Sequence, residues 1–270
     1  MVTRRRLDAE LVRRGLVSGR ARARELIEGG RVTVGGAPAP KPSRLVAAAE
    51  AVEVIGPGPR FVSRAGEKLA AALEVFGIDP GGRRVIDIGS STGGFTDCVL
   101  QGGAREVVAI DVGRHQLHER LRADPRVRSH EQTNVRHAVV ADLGGPGSLV
   151  VADLSFISLG TVAPQLLAFT DPAGDLVVLV KPQFEAGKEE ADRGRGVIRD
   201  PEVWRRTLDE VATALSAAGA AIMGVMASPI TGGDGNVEFL LHVNRALGGM
   251  SPDAWSARRD AAVATAEEGP

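Results

Sequence analysis

Four side chains able to hold or move a proton stand beside apolar runs of this sequence. Asp153 closes LVVAD, Lys181 closes LVVLVK, Glu238 lies inside the final run NVEFLLHVN, and Lys68 belongs to the helical pattern RAGEKLAAALEVFGI ahead of the first run. In an open α/β sheet the carboxyl ends of the strands share one edge, and ligands bind there. Each residue alone reads equally well as a salt-bridge partner; a K-D-K-E set gathered on one edge can move a proton under electrostatic control. Lysine usage sharpens the point. Only four of the 33 basic residues are lysine (Lys41, Lys68, Lys181 and Lys188), the other 29 being arginine. Arginine keeps its proton at any useful pH, whereas lysine can release it.

The second chemical feature is the loop DIGSSTGGFTDC, residues 87–98, which directly follows the apolar pair Val85-Ile86. A dinucleotide fingerprint would need glycine two places after Gly89, where Ser91 stands. A phosphate loop would need lysine after Gly94, where Phe95 stands. Asp87 ahead of the loop would repel phosphates but suits a cation. S-adenosylmethionine (SAM) has no phosphate and carries an ammonium and a sulfonium. The stretch is therefore read as the seat of its methionine end, formed by Asp87, Gly89, Ser90, Ser91, Thr92, Gly93, Gly94 and Phe95, with the glycines letting the backbone pass close to it. Asp111, 22 residues past Gly89, is placed to accept from ribose hydroxyls, and Asn134 to read the adenine amino group. An acceptor that suits this donor and the K-D-K-E set is a ribose 2′-hydroxyl, whose attack on a methyl group gains from a positioned base. Lys181 is the candidate base. Lys68 and the sulfonium favour release of its proton, Asp153 and Glu238 its retention, and in-line alignment contributes alongside.

Strand-like runs at 83–89, 105–113, 127–134, 147–156 and 175–184 alternate with helical patterns at 64–78, 93–103 and 116–124. That alternation predicts an α/β, doubly wound, mainly parallel sheet of Rossmann-like type. The runs 220–230 and 236–244, joined by the turn TGGDG, read as a closing hairpin. In front of this lies a basic segment: residues 1–60 carry 12 Lys+Arg against 6 Asp+Glu, while the whole chain has a net charge of −1. There, Leu7, Leu11, Val12 and Leu16 form one helical stripe and Ala23, Leu26 and Ile27 another, and RVTV alternates as a strand. Arg6, Arg13, Arg14, Arg20, Arg22 and Arg24 are left to meet a polyanion. Residues 56–63, GPGPRFVS, read as a linker between a module at 1–55 and a domain at 64–270.

The bulk composition narrows the field. No apolar run reaches the roughly 18 to 20 residues of a bilayer span, and no apolar segment follows the N-terminal arginines, so neither a membrane span nor a secretory signal is read. Cys98, the single cysteine, reads as a buried small hydrophobe in a reducing cytoplasm. No metal site is read, because His115 and His118 lack flanking ligands. With no tyrosine and 3% aromatic residues, a base-stacking sheet is not expected, and the basic head should grip RNA by shape and phosphate. Nothing demands an oligomer, and the chain is read as a monomer.

The order Arg6-Leu7-Asp8, Leu11, Gly15, Arg20, Ala23, Leu26-Ile27, Gly30, Val32, Val34 and Gly36 resembles the RNA-binding module of ribosomal small-subunit protein four, with Gly19 where that family often has a capping serine and Ser18 placed to cap instead. Over nearly the whole chain, FVSRAGEKL, DIGSSTGGFTDCVL, DPRV, TNVRH, VADLSFISL, LVKPQFE and SPITGGDGNVEF resemble the TlyA family, bacterial rRNA cytidine 2′-O-methyltransferases long called haemolysins. The resemblance implies an FtsJ-like fold with a mainly parallel seven-stranded sheet. It also implies a K-D-K-E tetrad at Lys68, Asp153, Lys181 and Glu238, SAM as cofactor, and a cytidine of 16S and 23S rRNA within the small and large ribosomal subunits as substrate. Phe61 stands where actinobacterial members carry a linker tryptophan. The competing expectations are a membrane-active haemolysin and a non-catalytic ribosome assembly factor.

Overall fold

The computed structural model describes residues 4–17, 19–56, 58–187, 189–190 and 194–269, and the chain divides into two units, Met1–Pro59 and Arg60–Pro270, each with its own core. In the first unit, β1 (Arg4–Arg6) pairs antiparallel with β4 (Leu45–Ala47), and β2 (Val32–Val34) lies between β3 (Ala37–Pro38) and β5 (Val52–Val54). Leu7 and Leu11, four apart, share one face of α1 (Leu7–Arg13); Ala23, Leu26 and Ile27 share one face of α2 (Arg20–Glu28). These five and Val32 are buried together. The apolar stripe expected to continue to Leu16 stops short: Gly15 turns left-handed (φ 69°) after α1, and Leu16 is 41% exposed. Gly19 takes the N-cap position of α2 without a side-chain bond, and Ser18, expected to cap, lies outside the described residues. Strands β1, β3, β4 and β5, two or three residues each, are too short for alternation to mark in sequence.

The second unit carries a mostly parallel sheet. Among the described residues its seven strands are β6 (Arg84–Ile88), β7 (Glu106–Ile110), β8 (Val127–His130), β9 (Gly147–Ala152), β10 (Thr170–Val180), β11 (Ala221–Ala227) and β12 (Phe239–Asn244). They lie in the order β11-β12-β10-β9-β6-β7-β8, and β12 alone runs antiparallel to its neighbours. Side chains alternate between faces with a period of two. Ile86, Val108, Val150 and Val178 pack on α6 (Leu159–Ala168) and α8 (Pro201–Ala217); Val85, Val107, Leu149 and Val177 pack on α3 (Ala65–Phe76) and α4 (Gly94–Gln101). Burial on both faces explains why the strands read as near-continuous apolar runs. Helix α9 (Pro252–Glu268) is fastened to α8 by Trp255, whose indole N–H donates to Asp209 at 2.7 Å.

Several elements differ from expectation. The helix read at 116–124 is only α5 (Glu119–Arg122), because the Glu131 carboxylate accepts the His115 and Gln116 amides and holds the chain before it in a loop. Strand β8 ends at His130, and β10 begins five residues before Asp175, across a register shift. The connection between β11 and β12 spans residues 228–238 rather than the five of TGGDG, which places Glu238 one residue before β12 instead of inside it. Helices α8 and α9 were not expected. Phe61, read as linker, is 3% exposed in the core beside α3, and the Val62 amide donates to Asp97. Cys98 on α4 is 6% exposed, and burial pushes its thiol up to about 12.

Candidate active site

The strand order reverses between β6 and β9, so their carboxyl ends diverge around a crevice, the usual ligand position in such sheets. Ile88 is in register with Ala152, which brings Gly89 against Asp153. A Cβ on Gly89 would stand 2.3 Å from the Asp153 carbonyl oxygen, and Gly89 has φ 84°. At Gly94 a Cβ would stand 2.2 Å from the Ser63 hydroxyl. These glycines are thus required by chain-to-chain approach, a packing reason not expected from sequence. Gly89→Ala should lower stability by at least about 2 kcal/mol in denaturant unfolding, from left-handed strain plus the clash.

A cleft at this point is lined by Ser63, Ala65, Ser90 to Thr92, Phe95 and Asp153. Asp87 lies beneath it, fully buried. Its Oδ2 accepts the Thr96 hydroxyl at 2.6 Å, while Oδ1 has no partner among the described residues. Burial pushes this carboxyl up to about 7 against the Thr96 bond, with the Asp153 and Asp111 charges adding to the rise. Asp111 follows β7 and holds the loop: Oδ2 accepts the Ser91 amide at 2.8 Å and Oδ1 the Gly113 amide at 2.6 Å. Each oxygen keeps a second lone pair for a hydroxyl donor. Val112 beside it is 69% exposed, an apolar surface that no sequence pattern marks. Asn134 lies four residues past β8, where its Oδ1 accepts the Arg136 amide at 3.1 Å.

The K-D-K-E residues form two ion pairs. Lys68, on the buried side of α3, bonds Glu238, and both are under 10% exposed. Lys181 meets Asp153 at 2.5 Å and donates to the Ser155 hydroxyl at 3.0 Å. The pairs share the sheet edge by register: the last β10–β12 rung is Val180–Phe239, and antiparallel geometry sets Lys181 opposite Glu238. Pro182 starts the short helix α7 (Pro182–Glu185) immediately after Lys181. The Glu185 carboxylate accepts the Ser158 hydroxyl at 2.7 Å and the Leu159 amide at 2.9 Å, tying α7 to the start of α6; burial pushes this carboxyl up. Phe156 is 89% exposed at φ 62°, with its ring 4.9 Å from that of Phe184. A phenylalanine at positive φ is an outlier that costs free energy and marks functional positions. Neither Phe156 nor Glu185 was singled out from sequence; the scarcity of aromatic residues was the available signal for the former.

In the first unit the expected RNA-binding arginines do not project freely. Arg6, Arg20 and Arg24 pair with Asp8, Arg13 and Arg14 with Glu10, and Arg22 with Glu25. Hydrogen bonds from Arg13 and Arg14 outweigh burial and hold Glu10 down to about 2. Arg14 turns inward, bracing the carbonyls of Ala47, Ala48 and Glu50, and is 19% exposed.

The site fits SAM on its own geometry. The orphaned Asp87 oxygen can take a cationic end, the Asp111 carboxylate can take hydroxyls, and exposed Val112 can meet an apolar ring face. Residues 61–245 match the FtsJ-like methyltransferase family, and residues 5–52 match the S4 domain. The chain is 49% identical over 242 residues to the 16S/23S rRNA (cytidine-2′-O)-methyltransferase TlyA of Mycobacterium tuberculosis, covering 89% of this chain and 90% of that one. It is 37% identical to hemolysin A of Brachyspira hyodysenteriae, covering 88% and 98% of the two. A solved structure described as a candidate hemolysin from Streptococcus thermophilus superposes with a TM-score of 0.78 at 38% identity, covering 99% of this chain and 97% of that one. Fold, cleft and relatives converge: this chain belongs to the TlyA family of FtsJ-like, SAM-dependent methyltransferases.

Proposed function

We propose that this methyltransferase acts on the ribose 2′-hydroxyl of a cytidine in 16S and 23S rRNA within ribosomal subunits. The Lys181–Asp153–Ser155 cluster beside the cofactor cleft carries the transfer to a hydroxyl, and the name of the Mycobacterium tuberculosis relative supports the rRNA cytidine as its target. Bound SAM supplies an electrophilic methyl group. Lys181, having released its ion-pair proton to solvent before the step, takes the proton of the attacking hydroxyl, and Asp153 and Ser155 hold the resulting ammonium in place. Lys68 and Glu238, neutralising each other out of solvent, shape the same edge without adding net charge. Asp87, the loop from Gly89 through Ser90, Ser91, Thr92, Gly93, Gly94 and Phe95, Asp111 and Asn134 surround the cofactor.

The exposed Phe156 ring offers a face on which the base of the acceptor nucleotide stacks. Base–aromatic stacking is worth about 1 to 3 kcal/mol, so Phe156→Ala should raise KM for RNA by roughly 5- to 150-fold and leave SAM affinity unchanged in calorimetry. Arg6, Arg13, Arg20, Arg22 and Arg24, with Arg14 as brace, give the first unit its phosphate-binding face. The reading is tested by incubating the protein with isolated small and large subunits and methyl-labelled SAM, then mapping the modified nucleotide. The hemolysin names of some relatives prompt the competing reading. Among the described residues no helix is long and apolar enough to cross a membrane. Vesicle leakage without subunit methylation would overturn the proposal.

A further inference from the structure

Three guanidinium groups from two separate elements converge on one carboxylate in the first unit. Asp8, on α1, has no exposed surface. Arg6, at the end of β1, approaches it with two nitrogens, Nε to Oδ1 at 3.1 Å and Nη2 to Oδ2 at 3.2 Å. Arg20 and Arg24, one turn apart on α2, both reach Oδ2, at 2.9 and 3.4 Å. The Ala9 amide takes the remaining place on Oδ1. Burial pushes the Asp8 carboxyl up, but hydrogen bonds from Arg6 and Arg20 outweigh it and hold the group well below the usual carboxylate range, so it is an anion under all ordinary conditions.

The arginines are only half covered by this arrangement. Arg6 is 45%, Arg20 55% and Arg24 54% exposed, against 0% for the Asp8 side chain. One negative charge thus gathers three positive ones, which would otherwise repel, and presents their outer faces with a local surplus of two. A buried ion cluster is a poor source of fold stability, because well-packed apolar residues usually serve as well. What it does supply is geometry: three planar forks fixed before a ligand arrives, so less rotamer freedom is lost on binding.

We propose that Asp8 is a positioning residue for RNA: it orders Arg6, Arg20 and Arg24 into a preformed site for successive phosphates of a folded RNA. This rests on the reading of the arginine face as the RNA contact. It gives a result opposite to plain charge attraction. Asp8→Asn adds one unit of positive charge, which by attraction alone should tighten binding to a polyanion. If Asp8 positions the arginines, the variant binds more weakly.

The test is a double-mutant cycle on the full chain, measuring binding to isolated small and large ribosomal subunits across a salt series. Arg20→Gln should weaken binding about tenfold and flatten the logarithmic salt slope by roughly 0.7 to 0.9, the value for one phosphate contact. Asp8→Asn should weaken it by about tenfold or more, raising KM for subunits with kcat and SAM affinity unchanged. In the Arg20→Gln background the loss caused by Asp8→Asn should shrink but not vanish, because Arg6 and Arg24 still depend on Asp8. Equal or tighter binding by Asp8→Asn overturns the proposal. So does an undiminished loss in the Arg20→Gln background, the outcome expected if the substitution merely unfolds the module. An Arg20→Gln variant, with Arg6→Gln and Arg24→Gln, that binds subunits as the parent does would instead remove the arginine face as the RNA contact.

Discussion

Lys181→Ala should lower methyl transfer at least about a thousandfold while subunit binding stays within about twofold of the parent. The size follows from the two effects lost together. General-base assistance is commonly worth about 10² to 10⁴ in rate, and misalignment of the attacking oxygen adds to the loss. The side chain is held by Asp153 and Ser155 and follows directly from the end of β10, with Pro182 next in the chain, so its amine is presented from a fixed place. Binding survives because the RNA grip is assigned to the arginines of the first unit. Lys181→Arg separates the two effects: it preserves the charge and the Asp153 contact but cannot surrender a proton near neutral pH. Both variants should be inactive in a labelled-methyl assay on isolated subunits. Substantial turnover by Lys181→Arg would leave alignment as the contribution and remove proton transfer from the assignment.

SAM affinity should fall about tenfold for each pH unit below roughly 7, and Asp87→Asn should abolish that dependence. The fully buried Asp87 carboxyl is pushed up to about 7, chiefly by burial, and so carries a proton in mildly acidic solution. A cationic cofactor end favours the ionised form, so binding below pH 7 must first expel that proton. Above pH 7 no such cost remains, and affinity levels off. Stability of the ligand-free protein should run the other way. A carboxyl raised in the folded state binds more protons folded than unfolded, so its contribution is present below about pH 4 and fades as the pH climbs to about 7. Asp87→Asn preserves an acceptor for Thr96 and should therefore melt no lower than the parent above pH 7, while binding SAM about a hundredfold more weakly. Calorimetric titrations from pH 5.5 to 8 measure the first effect, and thermal unfolding without SAM the second. A parent affinity that is flat over this range would separate Asp87 from the cofactor.

The parts of the fold that could be read from sequence are those governed by local periodicity. The runs around Val85-Ile86, Val107-Val108 and Val150-Val151 announced buried strands because both faces of a parallel sheet demand apolar residues. The choice of cofactor was legible from local residues too: Ser91 and Phe95 stand where competing nucleotide motifs require glycine and lysine, and the Asp87 charge disfavours phosphate. Features set by distant contacts were not. Nothing near Glu238 reveals that residues 228–238 form a long excursion, so the residue was placed within a strand that it precedes. Leu16 looks like the next step of an apolar stripe until Gly15 turns the chain away. The arginines of the first unit were read as free projections, because no sequence pattern shows that Asp8 and Glu10 are buried beneath them. Phe156 was passed over because isolated aromatics carry no periodicity; its exposure and its left-handed backbone are what single it out.

Cys98 gives this chain an experimental convenience. It is the sole cysteine, tucked into α4 with a thiol reluctant to ionise, so maleimide dyes should pass it by in the native protein. A surface thiol introduced by Leu45→Cys, at a position 55% exposed in the first unit, would then be the single reactive handle without first removing the native one. Anisotropy decay of a fluorophore placed there would report the motion of the first unit. Repeating it with isolated ribosomal subunits present would test the arginine face as the RNA contact.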